Sequence, residues 1–184
     1  MKLQSLQQPY AIIMVGIPGS GKTQFAQKFS EMFEAPFINL AYIAQRASSP
    51  EAAAELAYAY LTELLKTKST ILLELSTDTR TRRTEIAKIV KSAGFNPLFV
   101  WVQVDEQTAK KRVMKAKNLT SDDFESQLKQ FSVPHQTEQA LVISGKHTYS
   151  AQARAVLRRV AEPRAAAAKQ QRPNERPGLQ LRIK

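Results

Sequence analysis

The sequence predicts a three-layer α/β/α fold, with about five mostly parallel strands between helices and a phosphate-binding loop at the carboxyl ends of the strands. Three observations carry this. Short apolar, β-branched runs alternate with amphipathic helical stretches, the pattern of successive β-α-β units. Residues 16–23 read Gly16-Ile17-Pro18-Gly19-Ser20-Gly21-Lys22-Thr23, a complete G-x-x-x-x-G-K-[ST] loop. The chain has 184 residues, 43% of them hydrophobic, which suffices for one core.

Each element has a local cause. Tyr10–Val15 is a continuous apolar run of the kind found in a strand covered on both faces. The glycine loop follows it, and then Phe25, Phe29, Met32 and Phe33 recur at helical spacing. Further strands are predicted at Pro36–Asn39, Thr70–Leu75, Pro97–Gln103 and Ala140–Ser144. A helix opens at Ser49-Pro50-Glu51, with Ser49 as cap and Pro50 in the first turn; along it Leu56, Tyr60 and Leu64 share one face. Another spans Thr79–Ala93 and stops before Gly94, its expected C-cap. Asp105 is positioned to cap a helix running to about Lys115. Phe124, Leu128 and Phe131 mark a short helix after Thr120 or Ser121, and Ala151–Val160 forms the last one.

Residues 1–162 are expected to form a single nucleotide-binding domain, and residues 163–184 a basic tail. The large apolar side chains of the tail are Leu179, Leu181 and Ile183. Each is worth at most about 1.5–3 kcal/mol when buried, against roughly 1–2 kcal/mol of backbone entropy for every residue ordered. Burial alone cannot order it, so a solvated tail is expected. The period-two alternation of Leu179-Gln180-Leu181-Arg182-Ile183 leaves open a strand added to a sheet edge or to a partner.

Composition narrows the function. There is no cysteine, which excludes disulfides and thiolate catalysis and agrees with a reducing compartment. The longest apolar run, Tyr10–Val15, is too short to span a bilayer, so the expected address is cytoplasmic, with no membrane partner. Lys2 and Ala11–Ile17 faintly resemble a signal peptide, but glutamines interrupt the pattern and the phosphate loop follows at once. His135 and His147 lack metal-ligand spacing, and no Ser-His-Asp or nucleophile-elbow arrangement occurs. The net charge of +11 suggests a polyanionic partner. The tail, with six cations against one carboxylate, holds +5 of it and leaves +6 for the other residues. An ATP site itself needs basic residues, so nucleic acid binding through the basic surface and tail is a third reading.

In the loop, glycines let successive N–H groups point inward and cradle an anion. Lys22 supplies a point charge for the β- and γ-phosphates, the Thr23 hydroxyl can ligate Mg²⁺, and the following helix adds its dipole. The expected nucleotide contacts are Gly16, Pro18, Gly19, Ser20, Gly21, Lys22, Thr23 and Gln24. In Ile71-Leu72-Leu73-Glu74 a carboxylate ends an apolar strand, where a second acidic group can hold a metal-bound water or orient a nucleophile. Asp78 is either a second candidate or a cap for the helix carrying Arg80, Arg82 and Arg83. Lys110 to Lys117 is a dense basic run, and cations on a closing lid lower the barrier to phosphoryl transfer. Arg112 is the leading candidate there because guanidinium offers a fixed fork of donors; Lys110, Lys111 and Lys117 read as a solvated face. Trp101 reads as core, and Tyr42, Phe37 and Phe95 as cleft lining or core.

About residues 8–162 resemble small P-loop kinases of the polynucleotide-kinase and zeta-toxin type, a group that includes many proteins labelled AAA-type ATP-binding. The phosphate loop is the specific part of the likeness. Weaker parts are Phe37-Ile38-Asn39, Ser49-Pro50-Glu51-Ala52-Ala53, Leu72-Leu73-Glu74-Leu75-Ser76-Thr77, Thr79-Arg80-Thr81-Arg82-Arg83 and the stretch from Val104 to Val113. The resemblance implies a P-loop NTPase fold with a kinase-like lid. It implies ATP and Mg²⁺ as cofactors, Lys22 and Thr23 as the ATP and Mg²⁺ groups, Glu74 as the second acid and metal group, and Arg112 as the lid arginine. Lys146, in Ser144-Gly145-Lys146-His147, falls in the adenine-contacting loop. One departure stands out. These kinases carry an acceptor-side aspartate two residues beyond the asparagine and an arginine three residues later, where this chain has Ala41 and Ala44. The leading reading is a phosphotransferase moving the ATP γ-phosphate to a hydroxyl of a small molecule or nucleic-acid end. The alternative is a nucleotide-binding regulatory module that has lost acceptor chemistry.

Overall fold

The computed structural model describes residues 8–117 and 119–161. The tail, with its alternating stretch at 179–183, lies outside the described residues. Five strands form one sheet: β1 (Tyr10–Val15), β2 (Phe37–Asn39), β3 (Ile71–Glu74), β4 (Asn96–Gln103) and β5 (Leu141–Ser144). Their order is β2-β3-β1-β4-β5, and every pairing is parallel. The helices are α1 (Lys22–Phe33), α2 (Leu40–Ala44), α3 (Pro50–Lys66), α4 (Arg80–Ser92), α5 (Glu106–Ala116), α6 (Ser121–Gln130) and α7 (Tyr149–Ala161), with a 3₁₀ turn at Gln136–Glu138.

The central strand explains the three layers. Successive strand side chains point to opposite faces. Ile12 and Met14 join Phe25, Phe29, Val156 and Val160 of α1 and α7 on one face. Ala11, Ile13 and Val15 join Ala57, Leu61, Ile86 and Val90 of α3 and α4 on the other. All five of these β1 residues are fully buried, as a strand covered on both sides must be. A smaller cluster of Ile17, Ala109, Val113 and Phe124 packs the α5–α6 hairpin against the phosphate loop.

Local signals set most boundaries. Ser49 Oγ accepts from Ala52 N at 3.2 Å with Pro50 opening α3, and Asp105 caps α5 through Thr108 N. Thr120 and Asp123 form a reciprocal capping box on α6. Gly94 follows the end of α4 at φ +85° and donates to Lys91 O at 2.9 Å.

Four expectations change. Met32 is 55% exposed, so α1 packs through Phe25, Ala26, Phe29 and Phe33 instead. In α3 the packed face is Ala53, Ala57, Leu61 and Leu65, whereas Leu56 and Tyr60 are exposed. Asp78 is not the cap of α4; Thr79 is, accepting from Arg82 N. Finally α2 was not foreseen: Asn39 ends β2 and at once accepts from Tyr42 N through Oδ1, starting a five-residue helix. No helix among the described residues is long and apolar enough to cross a membrane.

Candidate phosphate-binding site

The loop leaves β1 and enters α1 through tight packing. Gly19 has φ +76°, and a Cβ there would lie 2.4 Å from Ala109 O of α5. A Cβ on Gly145, after β5, would lie 2.3 Å from Ser20 O. The loop is therefore held between α5 and the β5–α7 connection by contacts only glycine permits. Gly21, also left-handed, is the N-cap of α1 and supplies no side-chain cap, and the first turn has no acidic residue. The free N–H groups and dipole of this helix end thus face the loop without an internal anion.

Lys22 folds back, its Nζ donating to Gly16 O at 2.8 Å and Ile17 O at 3.0 Å. Burial pulls its ammonium below the ordinary lysine range, partly offset by the Glu74 carboxylate. Thr23 Oγ1 donates to Glu74 Oε1 at 2.8 Å. Burial pushes the Glu74 carboxyl above the usual range, while the charge of Lys22 and the Thr23 hydrogen bond oppose the shift. Among the described residues two buried side-chain oxygens have no partner, Glu74 Oε2 and Ser20 Oγ. Orphaned buried polar atoms are rare in folded proteins, and both of these sit at the loop. Among the described residues no group of three or more His, Cys, Asp or Glu is placed to hold a metal. Mg²⁺ commonly uses one or two protein oxygens and completes its shell with phosphate and water. A hydroxyl beside a carboxylate with a free oxygen fits that chemistry.

The lid side is equally close. Arg112 Nη2 donates to Gly145 O at 3.0 Å, and Nη1 to Gly19 O at 3.3 Å and Ser20 O at 3.4 Å. Arg112, though exposed, is thus held at the loop. Lys110 bridges the lid hairpin by pairing with Glu125 at 2.8 Å, while Lys111 and Lys117 are exposed. Lys146 pairs with Asp105 at 2.5 Å, and this hydrogen bond, with those from Thr108, holds the Asp105 carboxyl far below its usual range. Gln24 is exposed on the first turn of α1.

At the β2 edge of the sheet the β2–β3 register sets Asn39 beside Glu74. Ala41 and Ala44 are exposed on α2, and the Arg46 guanidinium stacks 3.6 Å from the Tyr42 ring centroid. Phe95 is buried, and Trp101 and Phe37 pack against the cores. Asp78 binds Arg82 through both oxygens. Arg83 is fully buried and paired with Glu138, which removes it from any basic surface. That pair spans 55 positions, with no local pattern to announce it.

A parallel sheet of this strand order, with the loop between β1 and α1, defines a P-loop fold of the kinase type. The chain belongs to the AAA domain family, whose model matches residues 12–141. None of the curated proteins matches it in sequence. Solved structures share the fold at low identity. A gluconokinase from Sinorhizobium meliloti is 17% identical, covers 89% of this chain and 98% of its own, and has a TM-score of 0.63. Chaetomium thermophilum Kti12, in complex with ADP-AlF3, is 16% identical over 82% of this chain and 96% of its own, with a TM-score of 0.66. The Mycobacterium tuberculosis APS kinase, in complex with AMPPNP and APS, is 15% identical over the same shares, with a TM-score of 0.62.

Proposed function

We propose that the protein is an ATP- and Mg²⁺-dependent phosphotransferase that moves the γ-phosphoryl group to a hydroxyl acceptor. The observation that carries this reading is the buried, unpartnered oxygen of Glu74 beside Thr23 and Lys22 at an uncapped helix N-terminus. Mg²⁺, when bound, neutralises charge on the phosphates. Lys22 exchanges the carbonyls of Gly16 and Ile17 for phosphate oxygens. Arg112, already over the loop, stabilises charge on the transferring group. Glu74 holds metal-bound water or accepts the acceptor proton; its register beside Asn39 favours it for both, because Ala41 offers no base. Kti12 in complex with ADP-AlF3 and the APS kinase in complex with AMPPNP and APS share this fold, which supports nucleotide binding by this chain. The acceptor is a small molecule or a nucleic-acid end; fold alone does not choose. The test is ATP turnover across candidate hydroxyl acceptors, with Lys22→Ala as control. Activity should fall at least 100-fold in the variant, and wild-type turnover no higher than the control, with ATP binding intact, would sink the enzyme reading.

A second reading, a nucleotide-binding regulatory module, rests on Ala41 and Ala44. A general base contributes about 10²–10⁴ in rate, so its loss can silence transfer while leaving the phosphate grip. Ala41→Asp separates the two: a large gain in transfer supports a degenerate acceptor site, and an unchanged rate argues that this position was never used. Nucleic-acid binding is weakened by the burial of Arg83 and the pairing of Arg82, and rests on the remaining basic surface and tail.

A further inference from the structure

Among the described residues, the largest fully buried side chain belongs to a residue with no part in the chemistry above. Arg83 is paired with Glu138 by two hydrogen bonds, Nε to Oε2 at 2.6 Å and Nη2 to Oε1 at 3.1 Å. Its remaining nitrogen, Nη1, donates to Thr77 O at 2.8 Å, Ser132 O at 2.9 Å and Asp78 O at 3.4 Å. These carbonyls come from two connections. Residues 75–79 follow Glu74 directly. Residues 131–140 leave the α5–α6 hairpin, whose first helix carries Arg112.

Further bonds cross between the same connections. Ser132 N donates to Asp78 O at 2.7 Å, and Arg80 N donates to Ser132 Oγ at 3.1 Å. Thr77 Oγ1 in turn donates to Met14 O at 2.8 Å, tying the first connection to β1 two residues before the phosphate loop. Burying an ion pair is expensive, and replacing one by apolar packing is often neutral or stabilising. Here all three guanidinium nitrogens are engaged, Nε and Nη2 by the Glu138 carboxylate and Nη1 by carbonyls of both backbone segments.

We propose that Arg83, held by Glu138, is a positioning residue that locks the connection behind Glu74 to the exit of the hairpin bearing Arg112. The lock sets the span between the acid and the lid arginine across the phosphate loop. This rests on the phosphotransfer reading for its consequence in catalysis, but not for the coupling itself. Lysine at 83 keeps the charge and loses the fork, while glutamine at 138 keeps an acceptor for Nε.

The test compares full-length wild type, Arg83→Lys and Glu138→Gln. Amide hydrogen exchange in the free protein reads the coupling. Residues 75–79 and 132–138 should open together in wild type. In Arg83→Lys they should exchange at separate rates, at least tenfold faster in one segment, with β1 and α1 unchanged. ATP turnover reads the consequence: kcat should fall 10- to 100-fold in Arg83→Lys with KM for ATP within threefold, and Glu138→Gln should lie between. Separate opening in wild type, equal acceleration everywhere in the variant, or loss confined to KM overturns the proposal. If wild type neither binds nor turns over ATP, the phosphotransfer reading falls alone, and the exchange comparison still decides whether Arg83 couples the two segments.

Discussion

Lys22 and Glu74 are displaced from their ordinary titration ranges in opposite directions by one cause, burial of the charged form, and each partly restrains the other. The signs have consequences for pH. Glu74 keeps its proton to a higher pH than a free glutamate at about 4.3. Its carboxylate is therefore lost, as pH falls, at a value above that. In kcat/KM, which reports the free enzyme, the acid limb should lie above the ordinary carboxylate range and disappear in Glu74→Gln. Lys22 loses its proton earlier than a free lysine at about 10.4, so ATP affinity should weaken at a lower alkaline pH than solvated lysine allows; titration of nucleotide binding checks this. The loop motif singles out Lys22 in the sequence, and the apolar run Ile71-Leu72-Leu73 singles out the carboxylate of Glu74 at its end. The orphaned oxygen of Glu74 was not legible there, because it depends on how β3 ends against its neighbours. Nor was the grip of Arg112 on Gly145 O, since it joins residues 33 positions apart.

Among the elements, caps were the most readable feature and register on a helix the least. Ser49 and Asp105 act where the sequence places them, and of the two starts open for α6 Thr120 is the cap, since a cap needs only its own next three residues. Ser49→Ala should cost about 1 kcal/mol of stability, read as a lower urea midpoint, with nucleotide binding unchanged. Which face of α3 packs depends on distant strands and helices, and the buried one carries Ala53, Ala57, Leu61 and Leu65. The 3₁₀ turn that presents Glu138 also escaped a local reading. Burial raises the Glu138 carboxyl, but hydrogen bonds from Arg83 and His135 N and the nearby arginine charges outweigh it and leave it below the usual range. A depressed carboxyl stabilises the folded state above its unfolded value and loses that contribution as pH falls through the folded one. Acid unfolding monitored by circular dichroism should therefore begin at a higher pH in Arg83→Lys than in wild type.

The whole molecule is organised by β1. Its alternating side chains divide the interior into two cores, and its carboxyl end delivers the loop to the rim where β2, β3, β4 and β5 also end. Fold class was legible because alternating apolar runs and a strand–loop–helix motif require only short-range patterns, whereas the acceptor depends on a rim assembled from distant segments. The cores should dominate stability: Phe29→Ala should cost about 3–5 kcal/mol and lower the urea midpoint without changing its slope. At the rim, the close approaches around Gly145 have a bearing on how this chain can vary. A methyl there meets the backbone oxygens of Ser20 and Gln103 as well as Val102 Cγ1, so trimming Val102 would leave both backbone contacts in place. A genetic selection starting from Gly145→Ala should return glycine at that codon rather than second-site suppressors. Gly94 meets nothing within 4 Å, so nothing there blocks a side chain, and its left-handed φ should admit asparagine. Two glycines alike in a sequence thus differ in what holds them, one fixed by its surroundings and one by its left-handed backbone alone.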